Sequence, residues 1–218
     1  MSIVTIERKI LEKNDAIARH NRDLIASKDI FCINLISSPG AGKTSILEQT
    51  LVYLDGTINV QIIEGDVQTD FDARRLERYN VPVVQIVTNG GCHLEASLVA
   101  DAMQSLDFSG LQLLIIENVG NLVCPAAYDL GEAVKVVVTS VTEGEDKPLK
   151  YPLIFKNAGV MIINKIDLLP HLSFDLELLK RNALSINPSL KIFETSCGTK
   201  QGIAEWCEWL AEEVFVQA

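Results

Sequence analysis

Two thiols and an imidazole, those of Cys92, His93 and Cys124, are the side chains of this sequence whose types best suit one shared task. Thiolates and a neutral imidazole are ligands for a borderline-soft divalent ion, and three of them leave a coordination position open for exchange or for a second subunit. Cys92 and His93 follow Gly90 and Gly91, and that permissive backbone lets adjacent residues aim two different donors at one point. Taken singly, a cysteine is more often a small buried apolar group and a histidine more often solvated. Cys32, inside an apolar run, and Cys207, beside Trp206 and Trp209, fit that plainer role, and His20 and His171 are assigned to the surface.

Phosphate chemistry is carried by Ser37-Ser38-Pro39-Gly40-Ala41-Gly42-Lys43-Thr44, which leaves an apolar run and opens a helical pattern. The backbone of Gly40, Ala41 and Gly42, with the helix start that includes Ser45, would cradle phosphates. Lys43 would reach the terminal ones and the Thr44 hydroxyl would hold Mg²⁺. Ser37 stands where the usual pattern has its first glycine, which is tolerable if that position needs no positive φ. Base choice falls to Asn164-Lys165-Ile166-Asp167. There the Asp167 carboxylate can accept from the N1–H and 2-amino group of guanine, which adenine cannot offer, while the Lys165 stem lies along the base. Ser196 and Cys197 belong to a weaker candidate for a base-capping loop.

Glu117-Asn118-Val119-Gly120 sits where many GTPases carry Asp-x-x-Gly. A carboxylate there can orient Mg²⁺ or its waters and a glycine amide can sense the γ-phosphate, so the loop changes shape on hydrolysis. Asp66 is the candidate for a further carboxylate near the metal and the attacking water, giving a catalytic set of Lys43, Asp66, Glu117 and Gly120. Asp70 and Asp72 are expected to cap and start the next helix. Asn121 replaces the glutamine that often orients water, which predicts slow intrinsic turnover. Cys124 lies just beyond this loop, so the thiol cluster and the switch share one stretch of chain.

These residues must be positioned by a sheet. Apolar runs at 30–36, 59–64, 83–87, 112–117, 134–139, 160–163 and 190–193 predict strands, and helical patterns are expected near 43–54, 70–79, 93–107, 150–158, 174–186 and 201–215. Near-continuous runs such as Leu113-Leu114-Ile115-Ile116 suit strands covered on both faces. The predicted fold is α/β, a three-layer P-loop NTPase with a mainly parallel central sheet flanked by helices. Residues 1–28 form a separate N-terminal amphipathic helix with an apolar stripe of Ile3, Ile10, Ile17 and Leu24, flanked by Ile6 and Leu11, and 29–218 form the GTPase domain.

No apolar run reaches the roughly 18 residues that span a bilayer, and the start has no signal-peptide pattern, so a cytoplasmic location is expected. A net charge of −10 without a basic stripe repels nucleic acid and membrane surfaces alike. Five cysteines at irregular spacing point to reduced thiols rather than a disulfide framework.

Together, the stretches Ser37–Thr44, Glu64–Asp70, Asn89–His93, Glu117–Pro125 and Asn164–Asp167 resemble the hydrogenase nickel-incorporation GTPases, the HypB family of the SIMIBI class, over residues 30–218. The resemblance implies that Cys92, His93 and Cys124 bind nickel or zinc. It also implies a homodimer that forms with GTP, a HypA-type nickel-binding accessory protein, and delivery to the hydrogenase large subunit. The histidine-rich stretch or N-terminal cysteine motif of many relatives is not found here, so nickel storage is not carried over. Leu168-Leu169-Pro170-His171-Leu172 is apolar enough for an interface and equally suited to covering the core.

Three other functions compete. A phosphate-loop kinase for small molecules leaves Asn164–Asp167 and the thiols without tasks. A metal store has little capacity with three histidines. A urease-type nickel-insertion GTPase usually carries Cys-Pro-His, which is absent.

Overall fold

Strands without a polar face cannot stay at a solvent boundary, and parallel neighbours need crossovers long enough for a helix. The computed structural model describes residues 6–68 and 71–217 and resolves this requirement into seven strands. They are β1 (Phe31–Ser37), β2 (Val60–Asp66), β3 (Val83–Val87), β4 (Leu113–Glu117), β5 (Val134–Ser140), β6 (Val160–Asn164) and β7 (Lys191–Glu194). All adjacent pairs run parallel, in the order β3-β2-β4-β1-β5-β6-β7. The expected three-layer α/β architecture is therefore present, with every strand where the apolar runs placed it.

The connecting helices are α1 (Ile6–Ala26), α2 (Lys43–Leu54), α3 (Phe71–Leu76), α4 (Ala96–Met103), α5 (Cys124–Ala127), α6 (Lys147–Lys150), α7 (Pro152–Asn157), α8 (Leu176–Ile186) and α9 (Ile203–Gln217). Alternation along β1 separates the layers. Phe31, Ile33 and Leu35 pack against Ile46 and Leu47 of α2 and Trp206 and Leu210 of α9. On the other face Cys32 meets Ile25 of α1 and Val99 of α4, and Ile36 meets Phe155 of α7 and Leu179 of α8. Chain order reverses around β1, which lies between β4 and β5, so the crevice for a ligand opens beyond the carboxyl ends of these strands.

Three local expectations change. The helix predicted from residue 93 begins at Ala96, so Cys92 and His93 lie in the preceding loop rather than at a helix start. The helix predicted over 150–158 is split at Tyr151 into α6 and α7, each with proline in its first turn. The third concerns α1, whose buried face is Asn14, Ala18, Asn21 and Ile25, while Ile10 of the expected stripe is 45% exposed. Hydrogen bonds from Asn14 and Asn21 join the apolar contact of Ile25 in orienting that helix. Ile3, the side chain of Ile6 and Asp70 lie outside the described residues. His20 and His171 are exposed, and Cys32 and Cys207 are buried, as expected. Among the described residues no helix is long and apolar enough to cross a membrane.

Candidate functional site

Beyond β1 the backbone turns through Gly40 and Gly42, at φ 79° and 101°, and α2 starts at Lys43. Gly42 is doubly constrained, because a Cβ there would also collide with the Asn164 amide. Ser37 ends β1 and is not among the positive-φ residues, so the position where a glycine is usual has no conformational need for one. The loop walls an open cleft of about 500 Å³, with Lys43, Thr44, Asp66, Glu117, Gly120 and Lys165 on its lining. Ser45 also lines it, and Gly120 lies against Pro39, where a Cβ would meet the ring at 3.3 Å. A slightly larger hollow of about 560 Å³ borders Asp55, Asn59 and Arg78, away from every motif.

The two nucleotide loops hold each other. Asn164 Nδ2 donates to the Ala41 carbonyl at 3.0 Å and Lys165 Nζ to the Gly40 carbonyl at 2.8 Å. Lys165 itself takes a left-handed backbone, φ 64°, stabilised as its N–H donates to Asn164 Oδ1 at 2.8 Å. Asp167 Oδ1 accepts from Ser196 Oγ at 2.6 Å, bringing the base-reading carboxylate and the candidate capping loop together. Cys197 faces Asn164 Oδ1 at 3.6 Å, and burial pushes its thiol up to about 11, so it stays a neutral wall of this corner.

Carboxylates crowd the other end of the cleft. Glu117 accepts the Thr44 hydroxyl at 2.8 Å and lies 3.9 Å from Lys43 Nζ. Its burial pushes the carboxyl up, with Lys43 and Thr44 opposing. Glu64, overlooked in the sequence, is the parallel partner of Glu117 across β2 and β4 and is equally buried. Burial and the neighbouring Glu117 and Asp66 carboxylates push Glu64 up to about 8. Each of these two glutamates keeps one oxygen buried without a hydrogen-bond partner. Glu64, Asp66 and Asp72 also bring oxygens within 4.8 Å of one another. Buried oxygens that lack donors, beside a threonine hydroxyl, fit a hard divalent cation such as Mg²⁺. Strand periodicity could have found Glu64, since a glutamate inside the apolar run Val60–Ile63 and beyond has no solvent face to occupy. Asp72 instead joins the first turn of α3 and accepts from Arg75 at 3.1 Å.

The soft donors assemble on the neighbouring loops. Cys92 Sγ lies 2.9 Å from Cys124 Sγ and 3.5 Å from His93 Nδ1, and the three ligand atoms fall within 4.8 Å of one another. His93 stacks on Tyr128 with ring centroids 4.0 Å apart. Burial lowers its pKa against the pull of Glu95, a shift in the direction of the neutral form that a metal requires. The adjoining Cys124 thiol raises that of Cys92. Two asparagines connect this cluster to the loop after β4. Asn121 Nδ2 donates to the Cys92 carbonyl at 3.2 Å, and Asn118 Oδ1 accepts the Leu94 N–H at 3.1 Å. Asn121, expected to matter only as a missing glutamine, thus has a structural task between the loops.

A parallel sheet whose central strand runs into a phosphate loop, with carboxylates on the adjoining strand ends, defines a P-loop nucleotide-binding domain. Residues 31–194 match the family described as "CobW/HypB/UreG, nucleotide-binding domain". The hydrogenase maturation factor HypB of Azotobacter vinelandii is 50% identical over 211 residues, spanning 97% of this chain and 70% of that protein. Among solved structures, HypB from Archaeoglobus fulgidus superposes with a TM-score of 0.87 at 35% identity, covering 93% of this chain and 99% of that one. HypB from Helicobacter pylori in complex with nickel gives 0.88 at 37% identity, covering 93% and 95%. The chain belongs to the CobW/HypB/UreG family, among its HypB hydrogenase maturation factors.

Proposed function

We propose that this chain is a GTP-hydrolysing metallochaperone, which takes up Ni²⁺, or Zn²⁺, through Cys92, His93 and Cys124 and assists nickel insertion into the large subunit of a nickel–iron hydrogenase. The observation that carries this is the convergence of the three soft donors within 4.8 Å, on loops hydrogen-bonded to the candidate switch. The nickel-bound relative supports nickel as cargo. Asn164, Lys165, Asp167, Ser196 and Cys197 are the proposed guanine pocket, and Gly40, Ala41, Gly42, Lys43, Thr44 and Ser45 the proposed phosphate cradle. Thr44, Asp66 and Glu117, with Glu64 beneath them, would hold Mg²⁺, which when bound neutralises charge on the phosphates.

Lys43 neutralises the terminal phosphate, Gly120 senses it through its amide, and Asp66 is placed to orient water. Movement of Gly120 is transmitted through Asn118 and Asn121 to the loop that holds Cys92 and His93, and along the chain to Cys124. Metal affinity then differs between nucleotide states, and by linkage nucleotide affinity differs by the same factor with and without metal. Residues 29–218 are the proposed GTPase domain and 1–28 a helical appendage. A GTP-dependent homodimer, a HypA-type accessory protein and the hydrogenase large subunit are the proposed partners, in the cytoplasm.

The test is a nickel titration of the purified protein with GDP and with a nonhydrolysable GTP analogue, with X-ray absorption to identify ligands. Sulfur and imidazole ligation is expected, with affinities that differ at least about fivefold between the two states. Equal nickel affinity and undiminished GTP sensitivity in Cys124→Ala would sink this function.

A further inference from the structure

We propose that α1 is a positioning element of the metal site, in which Asn14 and Asn21 hold the Cys92–His93 loop and the Cys124 segment at their mutual distance. The two asparagines lie seven residues apart, two turns along one helix face, and both are buried. Their contacts go to both ligand-bearing segments at once. Asn14 Oδ1 accepts the Ala96 N–H at 2.9 Å while Asn14 Nδ2 donates to the Asp129 carbonyl at 2.8 Å. Asn21 Nδ2 donates to the Ala96 carbonyl at 2.9 Å and to the Leu130 carbonyl at 3.0 Å.

Ala96 opens α4, directly after the loop that presents Cys92 and His93, and its N–H is one of the orphan donors of that helix start. Glu95, the residue at the cap position, makes no side-chain cap bond, so Asn14 supplies the cap from a different helix. Asp129 and Leu130 follow α5, which begins at Cys124, and Asp129 adjoins Tyr128, the ring on which His93 stacks. Arg22 adds a second tie from α1, donating to both Asp129 oxygens at 2.7 Å. The approach is tight as well as polar. Gly131 has φ 101°, and a Cβ there would come within 2.7 Å of the Asn21 Cβ and 2.9 Å of the Ala18 carbonyl.

A helix that merely covered the core would bury its isoleucines. This one buries Ala18 and Ile25 but leaves Ile10 exposed, and gives the rest of its buried face to two amides that bridge separate stretches of chain. Amide bridges of fixed length set a distance, which apolar contact does not, and supporting groups of this kind govern how well metal ligands are oriented.

The inference rests on the metal role proposed for Cys92, His93 and Cys124, but its primary readout needs no metal. The metal-free full chain is treated with dibromobimane, which bridges two nearby thiols, and the 92–124 cross-link is quantified by mass spectrometry. Nickel affinity and GDP affinity are measured alongside. Asn14→Ala is expected to slow the cross-link severalfold and weaken nickel binding roughly tenfold, with GDP affinity within twofold of the parent. Ile25→Val, a small loss of apolar contact in the same helix that leaves the Asn14 and Asn21 amides in place, serves as the control and should change neither readout. Unchanged cross-linking in Asn14→Ala, or an equal loss in Ile25→Val, overturns the proposal. If the parent chain binds no nickel, the metal function fails, and the cross-linking rate alone still decides whether α1 sets the thiol separation.

Discussion

The phosphate cradle and the thiol cluster sit on the same end of the sheet, yet they are built in opposite ways. Around the cradle, the groups that would meet a nucleotide emerge from buried strand ends, and the loops lock one another through Asn164 and Lys165. Around the cluster, Cys92 and His93 ride on a loop and Cys124 on the start of α5, segments whose separation depends on side chains reaching in from elsewhere, from Asn121 on one side and α1 on the other. Preorganisation therefore comes cheaply at one site and through borrowed contacts at the other. A site of the first kind keeps its shape through a catalytic cycle, whereas one of the second kind can loosen its grip when a neighbouring loop moves.

The largest test of this contrast is Gly42→Ala. Its left-handed backbone and the collision with Asn164 should reduce nucleotide affinity by about 100-fold or more, measured by titration with a fluorescent GDP analogue, because strain and lost phosphate amides act together. Nickel affinity without nucleotide should stay within about twofold; a matching collapse would mean that the two sites are one cooperative unit. A smaller effect is expected from Asn121→Ala. Losing the tie to the Cys92 carbonyl should weaken nickel binding by about three- to tenfold, as removal of a supporting hydrogen bond does, with GDP affinity preserved. Smallest of all is Ser37→Gly, which restores the usual glycine. Since Ser37 needs no positive φ, glycine should leave nucleotide affinity unaltered and lower stability by about 0.5–1 kcal/mol in urea unfolding. A gain in affinity would show that the serine compromises the cradle.

The same contrast governs what the amino-acid sequence discloses. The inner strands were legible because a strand buried on both faces must be apolar throughout, as Leu113–Ile116 is, and the half-buried edge strands β3 and β7 because their short apolar runs are bounded by turn residues. The phosphate loop and Asn164–Asp167 were legible because their functional groups are contiguous. The three soft donors could be grouped by type, but their separation could not be read, since it is set by polar side chains far away in the chain. Asn14 and Asn21 carry no periodic signal as amides, so the apolar stripe of α1, of which Leu24 packs on the core while Ile10 is exposed, marked the edge of the buried face rather than its centre. Glu64 is a different case: strand periodicity marks it as a buried carboxylate, but its pairing with a second buried glutamate, Glu117, needs the strand register.

Both tryptophans of the chain lie on α9, their rings 5.4 Å apart, and the indole N–H of Trp206 donates to Thr50 of α2 at 2.9 Å. That places both indole chromophores in the layer formed by α9 and α2, and none on α4 or α5. For tryptophan the molecule is thus optically one-sided: its indole emission originates between α2 and α9, a built-in gauge of that layer, while the thiol side carries no indole and would report through Tyr128 or through a coloured ion that occupies it.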